Sequence, residues 1–284
     1  MDRAAFEHWL RDPKRRPLIM GVLNVTPDSF SDGGRFAGPD AAVAHALEMA
    51  AAGADLIDVG GESTRPGSQP VPPDEQIARA VPVIERVAPR VSAVVSIDTT
   101  RAAVASAALD AGANLVNDIS AGRDDEFMLS TVARRNTPIV LMHMQGTPAT
   151  MQLKPTYDDV TRQTIDFLRD RIRAAEIAGI ATERILIDPG IGFGKTDEHN
   201  LELLRRQNEL STLGRPVVIG TSRKGFIGKI TNEPDPARRL FGTAASVAWS
   251  VANGAAVVRV HDVGAMSQVV RMIEAIRSGF SGDF

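Results

Sequence analysis

Residues 18–34 read Leu-Ile-Met-Gly-Val-Leu-Asn-Val-Thr-Pro-Asp-Ser-Phe-Ser-Asp-Gly-Gly. The apolar run over 18–23 stops at Asn24, and a polar segment follows with Pro27, Asp28, Asp32 and the Gly33-Gly34 pair. A short aliphatic run closed by turn residues predicts a buried strand feeding a loop. Two glycines and two carboxylates suit a loop that carries ligands, although a plain surface connection has the same composition.

Seven further runs of the same kind lie at 55–59, 93–97, 114–116, 138–142, 184–187, 216–219 and 256–260. Segments of helical character separate them. Residues 40–52 are alanine-rich and close on Gly53; 74–87 follow the Pro72-Pro73 pair; 101–110 close on Gly112; and 125–135 precede Pro138. Residues 158–178 carry Ile165, Leu168 and Ile172 at helical spacing and end on Gly179, and 198–209, 235–252 and 265–277 complete the set. Eight strand–helix units in 284 residues predict an α/β TIM barrel in a single domain spanning 1–284, with 1–16 as an N-terminal extension. An open doubly wound sheet is the alternative.

Direction supports the barrel. Each run starts apolar and turns polar at its C-terminal end, at Asn24, Glu62, Asp98, Asn117, His143, Asp188, Lys224, and then Arg259 and His261. A parallel barrel gathers those ends on one face, where active sites of this fold sit. Arg259 and His261 are two apart, so in a strand they point the same way.

Composition excludes other classes. Aromatic residues are only 5%, as expected where aliphatic strands are covered on both faces. A net charge of −3 leaves no basic footprint for nucleic acid, and Lys14-Arg15-Arg16 reads as a solvated turn. The chain has no cysteine, which excludes disulfides and thiolate metal sites and fits a cytoplasmic protein. Residues 1–11 lack the apolar core of a signal peptide, so the sequon Asn24-Val25-Thr26 is discounted, and no apolar run is long enough for a membrane helix. Phe193-Gly194-Lys195-Thr196 ends like a phosphate-binding P-loop, but Pro189 stands where that motif needs its first glycine. The competing reading is a glycine-rich loop that lays Phe193 over a flat ligand above Asp188.

The segment 20–34 is joined in order by Gly60-Gly61-Glu62-Ser63-Thr64-Arg65-Pro66-Gly67, Ser96-Ile97-Asp98, Asn117-Asp118, Asp188-Pro189-Gly190-Ile191-Gly192-Phe193-Gly194-Lys195, Ser222-Arg223-Lys224 and Arg259-Val260-His261-Asp262. This series resembles the dihydropteroate synthases, the folate-pathway enzymes that sulfonamides inhibit, and it covers nearly the whole chain. The resemblance implies a transferase that joins 6-hydroxymethyl-7,8-dihydropterin diphosphate to 4-aminobenzoate and releases pyrophosphate. It implies a pterin pocket of Asp98, Asn117, Met142, Asp188 and Lys224. A pyrophosphate site of Asn24, Arg65, Arg259 and His261 would include a magnesium ion to which Asn24 contributes. Phe30, Thr64, Pro66, Phe193 and Gly225 would meet the aminobenzoate, and Asp98, Lys224, Arg65 and Asp32 would carry the chemistry. Loops over about 24–38 and 61–73 are expected to be mobile and to close over the substrates.

One departure stands out: many members have serine after Ser-Arg-Lys, and this chain has Gly225. The aminobenzoate carboxylate then loses a hydroxyl partner, leaving the backbone N–H at a helix start. Two rival readings remain, a pterin-dependent methyltransferase of the same fold and a non-catalytic paralogue that binds pterin. The helix predicted within 235–252 has two apolar stripes: Leu240, Ala244, Val247 and Val251; then Phe241, Ala245, Ala248, Trp249 and Ala252. A barrel helix keeps one face wet, so the second stripe predicts a homodimer through this helix.

Overall fold

Alternate residues of each strand face opposite ways, and both faces are buried. The computed structural model describes residues 1–26, 38–65 and 67–279. The eight strands are β1 Leu18–Asn24, β2 Leu56–Gly60, β3 Val94–Asp98, β4 Leu115–Asp118, β5 Ile139–Met142, β6 Ile185–Asp188, β7 Val218–Ile219 and β8 Val257–Val260. They pair in parallel in the order β6-β5-β4-β3-β2-β1-β8-β7, and one parallel bridge between Ile187 and Val217 joins the two ends. The sheet is therefore the expected barrel rather than an open one.

The first helix is α1 (Arg3–Arg11), and α2 to α7 follow in turn at Pro39–Ala51, Pro73–Val87, Ala102–Asp110, Met128–Arg134, Val160–Ile177 and Asp197–Arg205. The last three are α8 (Gly225–Thr231), α9 (Leu240–Ala252) and α10 (Val263–Ser278). Residues of one parity, such as Ile19, Ile57, Val95 and Ile139, join the shell between strands and helices. The other parity, including Leu18, Met20, Leu56, Val94, Leu115, Val140, Leu186, Val218 and Val257, fills the barrel interior. None of the described helices is long and apolar enough to cross a membrane.

Three local features go beyond the sequence reading. The N-terminal extension contains α1, capped by the Asp2 carboxylate, which accepts from Ala5 N at 2.8 Å. Phe6, Trp9 and Leu10 of α1 are buried against the interior layer, closing the lower end of the barrel. The basic cluster is a turn with Lys14 exposed, as expected, but Arg15 and Arg16 are also tied to neighbours. Arg16 pairs with Asp55, Arg15 lies 5.3 Å over the Trp9 ring, and Trp9 Nε1 donates to Arg16 O at 2.8 Å. Tertiary anchoring of this kind leaves no periodic signal over so few residues. Finally, α8 had no helical pattern of its own: its Gly-Phe-Ile-Gly-Lys-Ile-Thr is short and carries two glycines.

Candidate active site

At the upper end of the barrel the inward parity becomes polar. In β2 it runs Leu56, Asp58, Gly60; in β3 Val94, Ser96, Asp98; in β4 Leu115, Asn117; in β6 Leu186, Asp188. A cavity of about 670 Å³ opens over these ends. Asn24, Thr64, Arg65, Asp98, Asn117, Met142, Asp188, Phe193, Lys224, Gly225, Arg259 and His261 all line it, so the structure gathers twelve of the residues predicted from sequence. Phe30, Asp32 and Pro66 lie outside the described residues.

The floor is an ionic network. Arg259 donates from Nε to Asp58 Oδ2 at 2.7 Å and from Nη2 to Asp98 Oδ2 at 2.8 Å, while Asn117 Nδ2 donates to the same Asp58 oxygen at 2.9 Å. One guanidinium thus serves two carboxylates. Burial pushes Asp98 up to about 7; Arg259 opposes the shift and the nearby Asp58 adds to it. Burial works against the charge on Arg259, but Asp58 and Asp98 outweigh it and hold its pKa above the usual value. Asp58 is fully buried and was not among the sequence candidates. Its signal was there in the parity, as an acid two residues before the end of an otherwise apolar strand.

Asp188 is likewise raised by burial, to about 6, although its Oδ1 accepts from Gly190 N at 2.6 Å. Lys224 faces it across the cavity. Burial first, then Arg259, lowers its ammonium to about 8. It stands at the N-cap of α8, beyond the end of β7 at Ile219, and not on the seventh strand as expected. Its Nζ lies 4.1 Å from the centre of the Phe193 ring, a cation–π contact. The preceding Arg223 has a left-handed φ of +61°, held by its ion pair to Asp262 at 2.6 Å and by Arg223 N donating to Thr243 Oγ1 at 3.1 Å. His261 Nδ1 sits 3.0 Å from Ser222 Oγ. Burial, then Arg259 and Arg223, drops its pKa to about 3, leaving a neutral imidazole.

Two strand-end polar residues do not line the cavity. Glu62 accepts from Val71 N at 2.9 Å and from Gln76 Nε2 at 3.0 Å, anchoring the stem of its loop. His143 is buried, with ring centres of Phe167 and Tyr157 at 4.9 and 5.9 Å. The glycine-rich segment after β6 is not a P-loop. Lys195 Nζ points back into its own turn and donates to the Gly190 and Phe193 carbonyls at 2.9 and 3.0 Å. A phosphate cradle needs N–H groups turned inward instead.

A magnesium ion fits this donor set only in company with its substrate. Among the described residues no group of three or more His, Cys, Asp or Glu is arranged to hold a metal. Asn24 offers one neutral oxygen at the cavity wall. Magnesium keeps several waters and bridges phosphate oxygens, so one amide would suffice for it only beside a bound phosphate group.

A profile of the family described as pterin binding enzymes matches residues 20–261. The chain is 45% identical over 267 residues to the dihydropteroate synthase of Synechocystis sp., covering 94% of this chain and 92% of that protein. The structure of Xanthomonas albilineans dihydropteroate synthase with 4-aminobenzoic acid superposes with a TM-score of 0.88 at 46% identity, covering 93% and 94% of the two chains. The Yersinia pestis dihydropteroate synthase, solved with a sulfonamide drug, gives 0.88 at 44%, covering 93% and 95%. An upper barrel layer that gathers the carboxylates, the amide and the lysine in one cavity agrees with that likeness, and the chain belongs to the dihydropteroate synthases.

Proposed function

We propose that the upper cavity condenses 6-hydroxymethyl-7,8-dihydropterin diphosphate with 4-aminobenzoate, giving 7,8-dihydropteroate and pyrophosphate, with the following division of labour. The observation that carries this reading is the convergence of Asp98, Asn117, Asp188 and Lys224 on one cavity. A pterin ring presents N–H donors on its aminopyrimidine edge beside carbonyl and ring-nitrogen acceptors. Two carboxylates and an amide match the donors, and an ammonium matches the acceptors. Met142 supports the ring face. Phe193, Thr64, Pro66 and Phe30 would form the aminobenzoate side, with the backbone N–H of Gly225 at the start of α8 left to meet its carboxylate.

The bond from the pterin methylene to the diphosphate oxygen breaks, its electron pair leaving with pyrophosphate. The aniline lone pair forms the new C–N bond, and the nitrogen then releases a proton. Departure leads attack, because the pterin ring delocalises the positive charge. Asp98 stabilises that charge, and Arg65, Arg259 and neutral His261 donate to the leaving group. Asp32 would take part from its loop. A bound magnesium ion, with Asn24 as a ligand, would supply further neutralisation of the pyrophosphate. No strong base is needed, since the aniline is a neutral nucleophile.

Sulfonamides resemble 4-aminobenzoate in shape and are expected to compete for its side of the cavity, as the drug complex of the Yersinia pestis relative suggests. A cysteine-free chain suits a cytoplasmic enzyme. A homodimer through α9 is supported by its surface. Val247 and Val251 are buried on the barrel, whereas Phe241 is 86% and Trp249 49% exposed, beside exposed Met272 and Ile276 of α10. Light scattering at micromolar concentration should give the mass of two chains, and a clean monomer would count against this assembly. Activity is tested by supplying both substrates with magnesium and measuring dihydropteroate and pyrophosphate together. Equimolar appearance of the two is expected; a folded protein that binds pterin but forms neither would be a binding paralogue.

A further inference from the structure

The mechanism above leaves one buried charge in the cavity wall without a task. Lys195 is 2% exposed and makes no ion pair among the described residues. Its ammonium instead has four acceptors at bonding distance: Gly190 O at 2.9 Å, Phe193 O at 3.0 Å, His143 Nδ1 at 2.9 Å and, longer, His143 O at 3.4 Å. Burial lowers this ammonium to about 7, Asp188 opposing from beyond bonding distance, and an apolar side chain of the same length would fill the space without that cost. What the ammonium adds is direction, because its three donors bind acceptors on both loops at once.

Those acceptors belong to two loops. His143 follows β5, while Gly190 and Phe193 form the turn after β6, where Gly190, Gly192 and Gly194 have φ of +69°, +82° and +60°. The turn lies directly on the β5 loop. A Cβ on Gly190 would stand 1.9 Å from His143 O, and one on Gly194 would stand 2.4 Å from Gln145 O. Both ends of this turn touch pterin-pocket residues. Gly190 N donates to the Asp188 carboxylate at 2.6 Å. Gly192 and the Phe193 ring carry the Lys224 side chain, whose Cδ would be 3.0 Å from a Cβ on Gly192 and whose Nζ is 4.1 Å from the ring centre. The turn therefore aims both an acceptor and a donor at the ring.

We infer that Lys195 is a positioning residue for pterin recognition, its ammonium holding the Gly190–Phe193 turn so that Asp188 and Lys224 meet the ring together. This rests on the assignment of the cavity to a pterin. The pyrophosphate side is independent of it: Asn24, Arg259 and His261 come from β1 and the end of β8, and none is bonded to Lys195.

The test is calorimetric titration of wild type and Lys195→Met with 6-hydroxymethylpterin and, separately, with magnesium pyrophosphate. Lys195→Met should bind the pterin at least tenfold more weakly and magnesium pyrophosphate within twofold of wild type. Pterin affinity within tenfold of wild type, or equal loss of both ligands, would overturn the assignment. If Lys195→Met does not fold, Lys195→Ala prepared in ethylammonium chloride replaces it. Recovery of pterin binding with ethylammonium, and not with sodium at equal ionic strength, supports the role; no difference between the salts overturns it. Absence of pterin binding in wild type would overturn the cavity assignment itself, and this inference with it.

Discussion

Met20, Leu56, Val94, Leu115, Leu186 and Val257 meet Phe6 and Trp9 at the lower end of the barrel, whereas two residues further along the same strands stand Val22, Asp58, Ser96, Asn117, Asp188 and Arg259. The backbone and the parity are shared, and Val22 apart, the upper side chains are polar where the lower ones are aliphatic. Each buried aliphatic side chain below stabilises the fold by about 1.5–3 kcal/mol. Above, the carboxylates are held in a place that resists their charge, as the rise of Asp98 to about 7 and of Asp188 to about 6 records. The lower layer makes the barrel stable, and that stability supports an upper layer arranged for a ligand.

The largest effect that could break this comparison lies in the lower layer. Trp9→Ala removes an interior ring, its bond to Arg16 O and its contact with Arg15, and should cost about 3–5 kcal/mol of unfolding free energy. At a temperature where the variant is folded, the Michaelis constants should stay at wild-type values. Denaturant unfolding and steady-state kinetics measure the two quantities, and a changed pterin constant would show that the layers are coupled.

Next comes Asp98→Asn. Losing a transition-state contact of about 3 kcal/mol lowers turnover by roughly two orders of magnitude. Its stability effect has the opposite sign. The folded-state pKa lies above that of the unfolded chain, so the folded protein holds the proton longer. The contribution of this group to stability is full at low pH and is lost as pH rises through about 7. Asp98→Asn should therefore gain in stability relative to wild type as pH rises from about 4 to about 7, and hold that gain above it. Retention of more than half the turnover would remove Asp98 from the mechanism.

A smaller effect should appear in the pH profile. With Asp98 needed as the anion and Lys224 as the cation, kcat/KM for the pterin substrate should fall below about pH 7 and again above about pH 8. Asp58→Asn deletes the like charge beside Asp98 and leaves Arg259 to Asp98 alone, so the acid limb should move to lower pH. An unmoved or raised acid limb would mean that another group controls it.

The smallest expected change is at Gly225, where an added Cβ has no atom within 4 Å. Gly225→Ser should fit without strain and, through one hydrogen bond worth about 1 kcal/mol, lower the 4-aminobenzoate constant severalfold. The pterin constant should not move.

The barrel was legible because its signal repeats: apolar runs that all turn polar at the same end, separated by helical segments. The site was legible through the same repetition and through the ordered family motifs. What sequence could not supply was local and tertiary. Asp58 looked like one acid inside a strand until Arg259 and Asn117 were seen to converge on it. Lys195 looked like the end of a phosphate motif until its ammonium was found turned into its own loop. His143, one residue past β5, and Glu62, two past β2, fit the strand-end pattern yet serve the loops beside the cavity, because beyond a strand end the loop's own bonds decide where a side chain goes. Arg15 and Arg16 read only as part of a basic turn, because neither the Trp9 ring nor the distant Asp55 is marked as a partner by spacing.

The division between the layers is tested most directly by equilibrium unfolding in urea at pH 8 of wild type and Asp98→Asn, each with and without excess 6-hydroxymethylpterin. A ligand at a hundred times its dissociation constant adds about 2.7 kcal/mol to the folded state that binds it. The wild type should show that gain. Asp98→Asn should be at least as stable as wild type without ligand and should gain almost nothing with it. A variant that is markedly less stable than wild type, yet is stabilised by the pterin to the same extent, would contradict the account.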